Sequence, residues 1–214
     1  MRFQITQWCH DRIRQMMPHP KNCTDATAGT GRDTLFLTEI ADPAGIVTAM
    51  DIQEEAIRQT AERLRKNNVS RQVDFVNFKP VMIPELSDEL KQEPPVGYAS
   101  IQLICDSHEN LNRYLPDKSQ DLILFNLGYL PGGDHTLSTK AESTVTALNQ
   151  SLQLLTPGGL LSVMIYSGGD SGFEEKEAVL GWARGLDPGR YLVFVEEFCN
   201  RPNNPPIPLY VRKI

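Results

Sequence analysis

Acidic and amide side chains follow four strand-like runs of the sequence, and these groups can bind a nucleoside-like ligand. Asp25 ends the first run, Asp51 ends the second and Asp106 ends the third. A carboxylate at such a position can accept hydrogen bonds from ribose hydroxyls or from an amino group. Asn126 ends the fourth run, and its side-chain carbonyl can hold an amine. The pattern indicates a nucleoside pocket beside a pocket for an amine.

The stretch DATAGTGRDT (25–34) is typical of a glycine-rich nucleotide loop in which Thr27 replaces the first glycine. Gly29 and Gly31 remain, and glycine lets the backbone approach a ligand closely. The carboxylate of Asp25 would repel a pyrophosphate, but it suits the cationic amine of S-adenosylmethionine, directly or through water. An ordinary tight turn between a strand and a helix is the alternative. We predict that the cofactor contacts include Asp25, Thr27, Gly29, Gly31, Asp51 and Ile52.

The motif DSHENL (106–111) adds three candidate cofactor residues. Asp106 can accept a hydrogen bond from the adenine amino group, with the backbone N–H of Ser107 near the ring. The same two residues can cap the N-terminus of a helix, and the two roles are compatible. His108 has three open interpretations, as a base, as a substrate contact or as a packed surface residue. We assign all three residues to the cofactor pocket as a prediction.

The motif NLGYLPGG (126–133) indicates where an acceptor amine would lie. Methyltransferases that act on amino groups often carry an Asn/Asp-Pro-Pro-aromatic turn at this point. Asn126 and Tyr129 keep its first and last members, whereas Leu127 and Gly128 replace its prolines. We predict catalytic roles for Asn126, which positions the amine, and for Tyr129, which stacks on the acceptor base. A plain proline–glycine loop is the alternative.

Four further residues are predicted to bind the substrate, namely Gly128, Tyr166, Asn200 and Asn203. Two of these, Asn200 and Asn203, precede a Pro-Pro pair and could equally shape a turn before the last strand. The substrate assignments therefore depend more on position along the chain than on side-chain chemistry.

Alternating strand and helix patterns must position these residues. Helical patterns cover 4–17, 34–41, 54–68, 138–155 and 173–186, and strand patterns cover 22–27, 45–51, 100–106, 121–127, 159–166 and 191–198. This alternation predicts one α/β domain with a mostly parallel, doubly wound sheet. The proline-containing stretch 70–98 interrupts the alternation, and we interpret it as a surface insertion.

Composition excludes several other classes of protein. The chain has 214 residues, a net charge of −6 and a pI of about 5.3, which disfavours broad, nonspecific nucleic-acid binding. No apolar run is long enough to span a membrane, and the N-terminal stretch is not typical of a signal peptide. Four scattered cysteines argue against a structural zinc site, and we predict no metal. Free thiols fit a cytoplasmic protein.

Together, six segments make the chain resemble a known family. They are DATAGTGRDTLFL, MDIQEEAI, DSHENL, NLGYLPGGDHT, YSGGDSGFEEKEAV and NRPNNPPIPLYV. The chain is identified by them as a member of the bacterial family that methylates the aminomethyl group of 5-aminomethyl-2-thiouridine at the tRNA wobble position. The resemblance implies a Rossmann-like class I methyltransferase fold with an antiparallel C-terminal strand. It also implies S-adenosylmethionine as donor and a tRNA anticodon stem-loop as partner.

Two departures from the family pattern leave the substrate open. The stretch 70–98 is longer than the usual link, and Gly169 stands where the family has a histidine after Tyr166-Ser167-Gly168. The alternative function is an enzyme of the same fold that methylates another amine, in rRNA, in protein or in a small molecule. The sequence also leaves the oligomeric state open, with a homodimer among the alternatives.

Overall fold

The computed structural model describes residues 4–67, 69, 73–77, 99–128, 139–166, 172–202 and 204–214. The predicted site residues Tyr129 and Asn203 lie outside this part of the chain, as does Gly169. The described residues form one sheet of eight strands, flanked by helices. None of the described helices combines the length and the apolar character needed to cross a membrane.

The described helices and strands follow the predicted alternation. The strands are β1 (Asn22–Asp25), β2 (Ile46–Asp51), β3 (Val73–Val76), β4 (Ser100–Cys105), β5 (Gln120–Asn126), β6 (Leu155–Ile165), β7 (Tyr191–Val195) and β8 (Ile207–Lys213). The α-helices are α1 (Ile5–Met16), α2 (Arg32–Ile40), α3 (Glu54–Lys66), α4 (Ala141–Leu154) and α5 (Gly172–Arg184). A 3-10 helix covers His108–Arg113.

The sheet has the strand order β3-β4-β2-β1-β5-β6-β8-β7. Neighbouring strands are parallel except at β8, which runs antiparallel to both β6 and β7. This arrangement confirms the predicted doubly wound sheet with an antiparallel C-terminal strand. The strand order reverses between β1 and β5, and such a switch point opens a crevice at the carboxyl ends of the strands. Ligands of open α/β sheets bind in that crevice.

Strand β3 corrects part of the prediction for residues 70–98. Val73–Val76 pair in parallel with β4, in the register Val73 to Ile101 and Val76 to Ile104. These four residues therefore extend the sheet at its edge instead of belonging to a surface insertion. The rest of the stretch up to residue 98, apart from Asn77, lies outside the described residues.

The core has two parts because the sheet is covered on both faces. In β5, Leu122 and Leu124 contribute to one hydrophobic cluster, which also contains residues of α2 and α3. Ile123 and Phe125 point to the opposite face and join residues of α4 and α5. Successive side chains of a strand alternate between faces, so a strand buried on both sides is continuously apolar. The run LILF in β5 meets that requirement.

Helix α1 packs on the hydrophobic core and also makes hydrogen bonds to the C-terminal part of the chain. Its buried residues are Cys9 and Ile13, and Ile13 belongs to the same cluster as α2 and α3. Arg12 Nε donates to Glu196 Oε1 at 2.7 Å. In addition, Arg212 Nη1 of β8 donates to the Met16 carbonyl at 3.0 Å. These contacts hold α1 against β8 and against the residue that follows β7.

Candidate active site

The crevice between β1 and β5 brings the glycine loop against the end of β5. The backbone N–H of Ala26 donates to the carbonyl of Leu124 at 2.9 Å. The backbone N–H of Asn126 donates to Thr27 Oγ1 at 2.7 Å. The predicted cofactor residue Thr27 and the predicted catalytic residue Asn126 are thus direct neighbours.

Asp25 lies underneath the loop, with none of its surface exposed. Its Oδ1 accepts from the Thr27 backbone N–H at 3.2 Å, and its Oδ2 accepts from Thr34 Oγ1 at 2.6 Å. Burial, together with the negative charge of Asp33, raises the pKa of Asp25 to about 7. In this arrangement the carboxylate holds the loop against α2, and its predicted role toward the cofactor amine remains a prediction.

Gly31 serves the packing of the loop against α3. Its φ is +75°, and a Cβ atom at this position would lie 2.7 Å from Thr60 Cα. Arg63 Nε of α3 donates to the Thr30 carbonyl at 2.5 Å, and Thr60 Oγ1 is 3.4 Å from the Gly29 carbonyl. The second glycine of the motif therefore permits α3 to approach the loop backbone.

Asp51, at the end of β2, binds the loop backbone. Its Oδ2 accepts from the Gly29 N–H and its Oδ1 from the Gln53 N–H, each at 2.9 Å. Burial raises the pKa of Asp51 despite these hydrogen bonds. Each carboxylate oxygen has a second lone pair, so Asp51 can still accept from ribose hydroxyls. The next side chain, Ile52, is 56% exposed and offers an apolar surface to a ligand.

Asp106 follows β4 and is held by its own helical turn. Its Oδ1 accepts from the Ser107 N–H at 2.7 Å and from Asn110 Nδ2 at 3.0 Å, and its Oδ2 accepts from the Tyr114 hydroxyl at 2.6 Å. Partial burial acts to raise the pKa of Asp106, but the hydrogen bonds outweigh burial and lower it. Ser107 Oγ accepts from the Glu109 N–H, so the helix-capping interpretation is confirmed for Ser107.

His108 has a buried ring nitrogen without a hydrogen-bond partner among the described residues. This atom is Nε2, and the ring packs edge-on against Phe125 with 5.9 Å between the centroids. Burial lowers the pKa of His108 to about 4, so the ring is neutral at physiological pH. A buried polar atom normally has a partner. The orphaned nitrogen therefore favours a ligand contact over the alternative of simple surface packing.

Asn126 is the centre of a polar cluster made with Asp33, His10 and Tyr166. Asn126 Nδ2 donates to Asp33 Oδ2 at 3.1 Å, and His10 Nε2 is 2.7 Å from Asp33 Oδ1. The Tyr166 hydroxyl lies near enough to the Asn126 side chain for that side chain to act to lower the pKa of Tyr166. Burial and the negative charge of Asp33 raise the pKa of Tyr166, which keeps its hydroxyl neutral. The predicted residues Asn126 and Tyr166 are thus brought together.

Gly128 belongs to a second polar cluster that joins the segments around the acceptor motif. Its N–H donates to Thr139 Oγ1 at 2.9 Å, and its carbonyl accepts from the Thr139 N–H at 3.1 Å. Thr139 Oγ1 is 2.8 Å from Glu175 Oε2, and Thr144 Oγ1 donates to Glu175 Oε1 at 2.6 Å. Glu175 is 4% exposed. One buried carboxylate, through Thr139, therefore ties the beginning of the acceptor motif to α4 and α5.

Asn200 belongs neither to the polar cluster around Asn126 nor to the one around Gly128. It lies in a surface pocket beside α1. This pocket, of about 430 Å³, is also lined by Trp8, Glu196, Phe198 and neighbouring residues. Trp8 Nε1 donates to Glu196 Oε2 at 2.5 Å, and the rings of Trp8 and Phe198 meet edge to face. The predicted contact of Asn200 with the substrate remains a prediction.

Sequence reasoning missed three of the polar residues in these clusters, His10, Asp33 and Glu175. Asp33 follows Gly31, the last glycine of the loop, by two positions, and an acid in the first turn of α2 is also expected from the helix dipole. Its contact with Asn126 spans 93 positions of the chain. A signal existed for Asp33, because it lies within the quoted loop motif. No local spacing points to His10 or Glu175, whose partners lie on other elements.

The site fits S-adenosylmethionine in its chemistry. The orphaned His108 Nε2, the exposed Ile52 and the strand-end carboxylates Asp51 and Asp106 offer both polar and apolar contacts to an adenosine group. Across the described ranges, no group of three His, Cys, Asp or Glu side chains is arranged to hold a metal ion.

Comparisons with known proteins agree with this geometry. The family model described as "Putative rRNA methylase" matches residues 82–212, and the ubiE/COQ5 methyltransferase family model matches residues 1–114. A tRNA (mnm(5)s(2)U34)-methyltransferase of Arabidopsis thaliana, named as chloroplastic, is 29% identical over 210 residues. The match covers 95% of this chain and 68% of that protein.

Crystal structures of similar proteins share the whole fold. A "putative rRNA-methylase" from Clostridium thermocellum is 36% identical, with a TM-score of 0.80 and complete coverage of both chains. A protein from Streptococcus mutans described as "a putative methyltransferase", solved in complex with SAH, is 29% identical, with a TM-score of 0.75 and complete coverage of both chains. The chain therefore belongs to the family described as "Putative rRNA methylase", as its motifs predict, and it is a methyltransferase that uses S-adenosylmethionine as methyl donor.

Proposed function

We propose that this enzyme methylates the aminomethyl nitrogen of 5-aminomethyl-2-thiouridine at the wobble position of tRNA. The observation that carries the proposal is the position of Asn126. Its backbone N–H is bonded to the glycine loop through Thr27, and its side chain lies in a polar cluster beside that loop. An amide at the boundary between cofactor and acceptor can hold an amine for attack without any covalent intermediate.

The cofactor pocket is assigned to the loop and to the ends of β2 and β4. When bound, S-adenosylmethionine supplies a methyl group on an already activated sulfonium. Asp51 accepts hydrogen bonds from the ribose hydroxyls with the lone pairs that the backbone leaves free. Ile52 packs on the adenosine group, and Asp106 with Ser107 and His108 binds the adenine. Asp25, Thr27, Gly29 and Gly31 shape the loop and complete the pocket.

The acceptor pocket is assigned to Asn126, Tyr129, Gly128 and Tyr166. A primary alkylamine is protonated at neutral pH and must lose a proton before it attacks, so turnover rises with pH. The carbonyl of Asn126 accepts a hydrogen bond from the amine and orients its lone pair. Tyr129 stacks on the acceptor base, while Asn200 and Asn203 contact the RNA further from the reacting atoms.

The similarity to a tRNA methyltransferase supports a tRNA substrate. The negative net charge of the protein indicates that it contacts few phosphates of that tRNA. The Arabidopsis relative is named as a methyltransferase for mnm(5)s(2)U34 of tRNA. With a net charge of −6, the protein can neutralise few phosphates, so its affinity for an anticodon stem-loop should depend weakly on salt. The free cysteines predicted from the sequence fit a reaction in the cytoplasm, which is part of this proposal. A homodimer remains a prediction.

The decisive experiment is nucleoside mass spectrometry of tRNA from cells with and without the gene. We expect the deletion to replace the methylaminomethyl nucleoside by its aminomethyl precursor. The wild-type gene should restore the methyl group, and the Asn126→Ala gene should not. Unchanged wobble nucleosides in the deletion strain would refute the proposed substrate.

A reconstituted reaction tests the same proposal with purified components. Protein, labelled S-adenosylmethionine and tRNA from the deletion strain should give labelled tRNA. Fully modified tRNA from the wild-type strain is the matched control and should accept no label. Equal labelling of both tRNAs would place the methyl group elsewhere on the molecule.

A second candidate is an enzyme of this fold that methylates an amine in rRNA, protein or a small molecule. The observations that favour it are the acidic composition and Gly169, which stands where the family carries a histidine. Binding of S-adenosylhomocysteine together with unchanged tRNA nucleosides would support this candidate. An extract of the deletion strain, incubated with the protein and labelled S-adenosylmethionine and then separated into rRNA, protein and small molecules, would identify the acceptor class.

A further inference from the structure

The side-chain amide of Asn126 can occupy its site in two orientations, related by exchange of Oδ1 and Nδ2. Only one orientation presents a carbonyl to an acceptor amine. The nearby hydroxyl of Tyr166 can donate or accept, so it is compatible with either orientation. A neighbour with fixed polarity is needed to distinguish the two.

Asp33 has that fixed polarity. An ionised carboxylate only accepts hydrogen bonds, so its contact of 3.1 Å with Asn126 requires Nδ2 on the side of α2. Oδ1 of Asn126 is then directed away from Asp33. The Asp33 side chain is only 14% exposed, so little water competes for this contact.

His10 holds Asp33 in place from the opposite side. Its Nε2 is 2.7 Å from Asp33 Oδ1, and because a carboxylate cannot donate, Nε2 carries the hydrogen. The His10 ring stacks on Phe36 of α2, with 3.8 Å between centroids and an interplanar angle of 3°. Both oxygens of Asp33 are thus committed, one to His10 and one to Asn126.

We propose that Asp33 is a positioning residue that fixes the amide of Asn126 with its carbonyl toward the acceptor amine, and that His10 aligns Asp33 for this task. The inference rests on the proposed function, since it assigns the acceptor amine to Asn126. It adds that α1 and α2 set the orientation of a group at the end of β5.

The substitution Asp33→Asn should reverse the amide. The oxygen of the new side chain would accept from His10, and its NH₂ group would donate to Asn126. The Asn126 carbonyl would then turn toward α2, and its NH₂ group would face the acceptor. We expect kcat on tRNA from the deletion strain to fall by about 10–100-fold, the range for losing a charged hydrogen bond. Affinity for S-adenosylhomocysteine should stay within about twofold, as for a contact outside the cofactor pocket.

The double variant Asp33→Asn with Asn126→Asp separates positioning from a structural role. Asn126→Asp alone places two carboxylates in contact and should also lose activity. In the double variant the hydrogen bond is restored with reversed polarity, and the free oxygen at position 126 again faces the amine. We expect kcat at least about fivefold above either single variant, as a coupled pair predicts.

Glu39→Gln is the matched control, because Glu39 is an exposed acid on the same helix whose contact is with Arg14. Its kcat should equal that of the wild type. Wild-type kcat in Asp33→Asn would overturn the proposal. So would a double variant no more active than the single variants when all bind S-adenosylhomocysteine normally.

A measurement without substrate keeps the inference separate from the proposed function. In a ¹⁵N–¹H correlation spectrum, the Asn126 side-chain amide is assigned by its loss in Asn126→Asp. Its hydrogen-bonded proton should lie downfield in the wild type and move upfield in Asp33→Asn. An unmoved resonance would refute the positioning role even if tRNA is methylated. A moved resonance with no methylation of tRNA by the wild type would support the positioning role and refute the proposed function.

Discussion

The contact between Gly31 and α3 allows a prediction with an internal control. Gly31 and Gly158 have nearly the same backbone conformation, with φ of +75° and +78°. A Cβ atom on Gly31 would lie 2.7 Å from the Thr60 backbone, whereas the nearest atom to a Cβ on Gly158 is a side-chain nitrogen of Arg212 at 3.9 Å. Alanine therefore introduces the same backbone strain at both sites but a steric clash at only one.

The expected cost follows from these two terms. An L-residue in the left-handed region costs about 1–2 kcal/mol, which should be the whole effect of Gly158→Ala. Overpacking against backbone adds about 1–3 kcal/mol, so Gly31→Ala should lower the free energy of unfolding by about 2–5 kcal/mol. Thr60 cannot move away easily, because it is fully buried within α3.

Urea unfolding followed by circular dichroism measures both variants on the same scale. We expect Gly31→Ala to unfold at clearly lower urea concentration than Gly158→Ala, with similar slopes for the two transitions. Gly31→Ala should also weaken the binding of S-adenosylhomocysteine, because Gly29, which we assign to the cofactor pocket, lies in the displaced loop. Equal destabilisation by the two substitutions would refute the inference that position 31 requires glycine because α3 packs against it.

Three further predictions concern buried and strand-end carboxylates. Asp25 should make the free energy of unfolding fall as pH rises from about 4 to about 7, by about 1.4 kcal/mol per pH unit, because its pKa is raised on folding. Urea titrations of Asp25→Asn should lack this slope. Asp51→Ala should weaken S-adenosylhomocysteine binding in calorimetry by about 1–3 kcal/mol, the scale for a lost charged partner. Glu175→Ala should cost about 1–3 kcal/mol in urea unfolding by leaving the hydroxyl hydrogens of Thr139 and Thr144 without an acceptor, whereas exposed Glu174→Ala should cost under about 0.5 kcal/mol.

The fold was predictable because each strand that is buried on both faces shows its apolar pattern within a short stretch of the sequence. The run LILF in β5 is apolar at four consecutive positions, as a strand buried on both faces must be. Strand β3 escaped prediction because it has only four residues, one of them the exposed Asp74, and lies at the edge of the sheet. An edge strand has one neighbour, so its sequence carries a weaker pattern.

The candidate site was predictable where it lies at the ends of strands. Asp51, Asp106 and Asn126 each end or follow a strand whose apolar pattern is plain, and parallel strands bring such residues to one edge. The burial of Asp25 and the contact between His10 and Asp33 depend on how α1 and α2 pack. Packing between helices is decided by the shapes of distant segments, which a linear motif does not contain.

Helix α1 has a consequence for the order of events during biosynthesis. Its partners include Glu196, 184 positions beyond Arg12, and Arg212, 196 positions beyond Met16. A ribosome adds about 5–20 residues per second, so the helix waits on the order of ten seconds or more for these partners. Contacts of such long sequence separation form late in folding. Arg12 and Met16 therefore acquire these partners only after Glu196 and β8 are synthesised, so a nascent chain that lacks β8 carries the cofactor loop beside an incompletely anchored α1.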